Sequence, residues 1–85
     1  MKRWIARYNH PDNWFFTITY VVEFDSINRE DWPLYYLHVF DAEKNLIFDY
    51  LQDEFEAATE QAMEKWGVPE DSWDEVREGE VVPEK

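Results

Sequence analysis

The chain has no cysteine, only two glycines, and eight bases against twenty acids in its 85 residues. Without cysteine, disulfides, thiolate metal sites and cysteine nucleophiles are excluded. Phosphate-cradling loops need closely spaced glycines, so that backbone N–H groups can approach the anion. Gly67 and Gly79 stand too far apart for that, which excludes a P-loop or Rossmann turn. No apolar run approaches the roughly 20 residues that span a bilayer. The opening residues, MKRWIARYNHPD, are basic but lack the apolar run and small-residue cleavage site of a secretory signal. The expectation is a soluble cytoplasmic protein.

What is present is aromatic and acidic. Five Trp, five Tyr and six Phe can each bury roughly 150–250 Å², and such a load argues against disorder despite the charge. A chain of this length makes one domain, with about 60–65% of its unfolded surface to bury and a thin stability margin. We place that domain at residues 1–77, with a C-terminal tail at 78–85. The formal charge of −12 is uneven: residues 1–52 hold eight acids and five bases, residues 53–85 twelve and three. Such a field disfavours nucleic-acid phosphates and anionic membranes and attracts a basic protein. The plainer reading is that the acids keep an aromatic-rich domain soluble.

Residues 53–69, DEFEAATEQAMEKWGVP, carry agreeing start, body and stop signals for a helix. Asp53 can cap, with Glu56 completing a capping box. Phe55, Ala58, Thr59, Ala62 and Trp66 recur at helical spacing as one apolar stripe. Gly67 supplies a left-handed stop and Pro69 forbids continuation. Glu56, Glu60 and Glu64 lie i, i+4, i+8 on the face turned away from that stripe.

Four strands are predicted before the helix. Residues 3–8 alternate, and His10-Pro11-Asp12-Asn13 forms a turn. Residues 14–24 put Phe16, Ile18, Tyr20, Val22 and Phe24 on one face, at a length that suggests a long hairpin arm. Residues 25–33 read as a polar loop with an apolar anchor on either side of its charges. Residues 34–40 form the third strand, residues 41–45 a hairpin turn in which Asn45 is able to take the left-handed position, and residues 46–51 the fourth strand. Residues 70–77 read as a further helical turn docking Trp73. The fold class is therefore α+β: an antiparallel sheet of about four strands with one C-terminal helix packed on one face.

One helix covers one face. The other then presents Ile5, Phe15, Val21, Ile47 and Leu51, with either Tyr36, His38 and Phe40 or Tyr35, Leu37 and Val39 from the third strand. Either set leaves an aromatic patch larger than a monomer usually exposes. The expected cover is a second copy, the Trp73 segment or another protein. With the first set, the candidate partner-binding residues are Phe15, Tyr36, His38, Phe40 and Ile47 on the sheet, and Glu56, Glu60 and Glu64 on the helix.

Chemistry-bearing residues do not converge. Ser26 and Ser72 sit in turn-like surroundings, and a Ser26–His38–Asp41 arrangement is not demanded by any spacing. His10 is expected solvated in its turn, and His38 as a half-buried ring with one hydrogen-bond partner. Asp49, mid-strand, is expected on the open face or paired with Arg3 or Arg7. Asp71, Asp74, Glu75 and Glu78 have helical spacing but lack the donors and glycine of a calcium loop, so a solvated face is the better reading. No cofactor, metal or catalytic set is expected. An enzyme working through buried carboxylates ranks third among the functional readings.

Residues 48–73, FDYLQDEFEAATEQAMEKWGVPEDSW, resemble the ending of many small, uncharacterised bacterial proteins. In them a last strand leads through an acidic cap into an alanine-rich helix, an aromatic-Gly-aliphatic stop and a downstream Trp. Some are immunity proteins of bacterial toxin systems, so the resemblance implies an interaction protein that binds and blocks a partner. The leading expectation is a non-enzymatic acidic domain that occupies a basic protein. The alternatives are a homodimer paired through the open sheet face, or a nucleic-acid mimic whose helix carboxylates, about 6 Å apart, imitate phosphates.

Overall fold

A computed structural model of the protein describes residues 2–76. The period-two run expected at residues 14–24 forms the central strand β2 (Phe15–Asp25), paired along its whole length with β3 (Glu30–Phe40). The polar loop is shorter than its composition predicts. Asp25 closes the turn alone: its Oδ1 accepts from the N–H groups of Ile27 (2.9 Å) and Asn28 (3.3 Å), and its Oδ2 from Asn28 Nδ2 (2.9 Å). Arg29 takes the left-handed conformation at φ 55°, so Glu30–Pro33 are free to continue as strand. Ile27 does not anchor this turn; it is 90% exposed.

β1 (Lys2–Ala6) pairs with β2, and β4 (Leu46–Gln52) with β3, all antiparallel. A fifth strand, β5 (Trp73–Val76), replaces the helical turn expected there and pairs with the outer edge of β1. The sheet order is β4-β3-β2-β1-β5. Only a single 3₁₀ turn, Glu70–Ser72, precedes β5. It is closed by Ser72 Oγ donating to the Pro69 carbonyl at 2.6 Å and tied to the sheet by the Arg7 N–H donating to the Ser72 carbonyl at 2.7 Å. The expected tail at residues 78–85 lies outside the described residues.

Helix α1 (Phe55–Trp66) crosses one face. Its cap is Glu54 in extended conformation with no side-chain cap hydrogen bond, so the Asp53–Glu56 capping box does not form. The stop is as predicted: Gly67 adopts φ 74°, and its N–H donates to the Met63 carbonyl at 2.8 Å. Ala58 and Ala62 have no side chain beyond Cβ, which lets the helix approach the sheet closely. They pack with Phe16, Ile18, Leu37, Val39 and Val68 as the core. Aromatic rings bracket it. Trp4 lies on Phe55 (4.6 Å) at one end, and Trp66 meets Phe48 (5.5 Å), Phe16 (5.6 Å) and Tyr50 (6.0 Å) at the other.

Candidate functional site

Because paired residues share a face, the register writes out the uncovered side of the sheet row by row. One row crosses all five strands as Asp74, Ile5, Thr17, His38 and Asp49; the next is Val76, Arg3, Thr19, Tyr36 and Leu51. Phe15, Phe40 and Leu46 form a shorter third row. Tyr36, His38 and Phe40 therefore stand on the open side, and Tyr35, Leu37 and Val39 under the helix. Ile5, Phe15, Val21 and Leu51 are on the open side as expected. Ile47 is not: Phe40 pairs with Leu46 but Val39 with Phe48, so Ile47 is the extra residue of a bulge and packs against the core instead. β5 does not cover this face either. It widens the sheet, and its Trp73 packs on the helix side beside Ala6.

The open face is less apolar than its sequence suggests, because polar groups in its middle partner one another. Arg7 Nε pairs with Asp74 Oδ2, and Arg3 Nε donates to Thr19 Oγ1 at 3.3 Å. The Tyr36 hydroxyl donates to Glu23 Oε1 at 3.3 Å. Burial and the neighbouring Glu23 and Asp49 charges raise the Tyr36 pKa above its ordinary value. His38 stacks on Tyr36 (5.9 Å, 14°), meets Phe40 edge-on (6.2 Å) and lies 3.6 Å from Asp49 Oδ1. Burial pushes its pKa below the ordinary value; Asp49 opposes that shift and Arg3 adds to it. Asp49 is thus on the open face as expected, with His38 as its close partner. Thr17 and Thr19 are roofed by these longer neighbours and buried.

Thr17, His38 and Asp49 follow one another across adjacent strands in the order of a nucleophile, base and acid. The Thr17 hydroxyl is nevertheless fully buried and without a hydrogen-bond partner among the described residues, so the nucleophile–base hydrogen bond such chemistry needs is missing. Ser26 lies in the β2–β3 turn, about 30 Å along β2 from the residue paired with His38, and Asp41 follows the opposite end of β3. His10 is partly exposed in its turn, and one ring face is covered: it stacks on Trp14 (4.6 Å, 6°), and its Nδ1 accepts from the Asp12 N–H at 3.0 Å. Asp71, Asp74 and Glu75 do not form a helical cluster, because Asp74 and Glu75 alternate along β5, and Glu78 lies outside the described residues. No group of three or more metal-ligating side chains converges among the described residues.

The acidic helix face is built as predicted. Glu56, Glu60 and Glu64 are exposed, and none of them forms an ion pair among the described residues. Shallow grooves flank Phe55 on both sides. One is lined by Pro33, Tyr35, Asp53, Glu54 and Glu56, the other by Glu56, Thr59, Glu60 and Glu70. The nearby cation Lys65 lies over the Tyr50 ring at 5.4 Å. No protein-family model matches this chain, and neither a curated protein nor a solved structure matches it.

The long hairpin arm suggested by residues 14–24 is present, but its exposed apolar end escaped sequence reading. β1 begins opposite Tyr20 and β4 ends opposite Tyr35, so among the described residues no strand flanks the last part of the β2–β3 hairpin. That projecting arm carries Phe24 at 63% exposure and Ile27 at 90%, with Val22 and Trp32 each at 48%. An isoleucine inside the polar turn DSINRE was the available signal.

Proposed function

We propose that this protein is a non-enzymatic acidic binding domain that occupies the surface of a basic protein partner, as immunity and inhibitor proteins do. The carrying observation is the row Glu56, Glu60 and Glu64, exposed and without an ion pair among the described residues. Three like charges one turn apart repel along the helix, and a cationic partner relieves that repulsion. The likeness of residues 48–73 to the endings of small bacterial proteins, some of them immunity proteins, supports the same reading.

The test is the association rate with a basic partner recovered from the native host at low salt and then purified. We expect the rate to fall about tenfold or more from low to high ionic strength. Glu56→Gln, Glu60→Gln and Glu64→Gln together should slow association while changing dissociation little. A rate indifferent to salt sinks the proposal. A second copy on the open sheet face is the other reading, favoured by Leu46 and Leu51, each 51% exposed along edge strand β4. Sedimentation at micromolar concentration decides it, since a strict monomer removes it.

A further inference from the structure

Among the described residues, the β2–β3 arm extends five residue pairs beyond the flanked part of the sheet, from Val21 opposite Leu34 to Asp25 opposite Glu30, a reach of about 17 Å. A two-stranded ribbon is marginal alone in water, and this one displays Phe24, Ile27 and Trp32 to solvent. Yet its tip is not loose. The three hydrogen bonds to the Asp25 carboxylate hold Ile27 outward on a closed turn. They also lower the Asp25 pKa, keeping the group ionised. A preformed tip loses little conformational freedom on docking.

Charge selects the occupant. Glu23, Asp25, Glu30 and Asp31 surround the apolar tip, against the single cation Arg29. A second copy docking arm to arm would crowd these carboxylates together, and an anionic membrane would repel them. Resting on the binding reading above, we infer that the arm is the inserting element: Ile27 at its tip, with Phe24 and Trp32 on its two opposite faces, enters an apolar cleft on the partner whose rim is lined with lysine and arginine. The carboxylates of the arm then meet that rim, while the helix row steers the approach.

The experiment places photoreactive benzoylphenylalanine at position 27, and at position 60 for comparison, in the full chain within the native host. The expected result is a dominant adduct from position 27 to a basic protein. That protein, purified, should bind the unmodified chain and lose at least about tenfold in affinity to Ile27→Asp or Phe24→Ser. Both side chains are exposed, so the variants should unfold at the same denaturant concentration as the parent, separating lost contact from lost fold. A purified partner that adducts from position 60 and binds Ile27→Asp normally overturns the arm assignment and leaves the binding reading standing. Adducts from position 27 only to lipid, to a second copy or to the chain itself overturn the assignment as well. Failure of both positions to yield a protein that binds when purified overturns both.

Discussion

The Tyr8 hydroxyl donates to the carbonyl of Trp66 at 3.4 Å, joining the chain just past β1 to the last residue of α1. That carbonyl belongs to the final turn of the helix, where no intrahelical donor remains. The next residue, Gly67, stands at φ 74°, and a Cβ added there would meet the same hydroxyl at an ordinary 3.7 Å.

Two separable costs follow. Tyr8→Phe should destabilise the protein by about 1 kcal/mol through the lost hydrogen bond. Gly67→Ala should also cost about 1 kcal/mol, from backbone strain rather than crowding. Because the origins differ, the double variant should be additive within about 0.5 kcal/mol. Denaturant unfolding of the four proteins measures this, and strong coupling would mean that the alanine methyl displaces Tyr8.

His38 should make stability depend on pH. Burial lowers its folded-state pKa below the ordinary 6.5, so on acidification the unfolded chain takes up the proton first. The contribution is fully present above about pH 6.5 and is lost as pH falls through the folded-state value. His38→Gln should remove this part of the slope. By NMR, the imidazole should titrate below 6.5, lower still in Asp49→Asn and higher in Arg3→Gln. Titration at or above 6.5 would contradict the burial argument.

Thr17→Val replaces a buried, unpartnered hydroxyl by a methyl group of similar size. Removing the desolvation cost should leave stability unchanged or raise it by up to about 1 kcal/mol. A loss of more than about 1 kcal/mol in thermal or denaturant unfolding would show that the hydroxyl has a partner after all.

The elements that local pattern could specify were legible. Phe16, Ile18 and Tyr20 alternate in β2 toward the helix, and Ala58, Ala62 and Trp66 recur in α1 toward the sheet. Gly67 and Pro69 end the helix where their backbone chemistry requires. The acidic row Glu56, Glu60 and Glu64 follows from the same period. Helix capping was less legible: the sequence points to Asp53, yet the extended Glu54 takes the position without a side-chain bond.

What could not be read depended on partners distant in the chain. Residues 70–77 space their acids like a helix, yet Trp73–Val76 become strand because β1 offers an unpaired edge beside them. Ile47 leaves the open face because one extra residue enters β4 against β3. The aromatic patch proved threaded with polar pairs such as Tyr36–Glu23 and His38–Asp49, which only the strand register brings together. Among the described residues, the arm is exposed because β1 and β4 stop short of the β2–β3 turn. Sequence alone determined the periods of strand and helix, the helix stop and the side on which charge gathers, since these depend on residues a few positions apart. Tertiary structure decided which edges are filled, which side chains meet and which apolar groups face water, since those outcomes depend on hydrogen bonds between strands far apart in the chain.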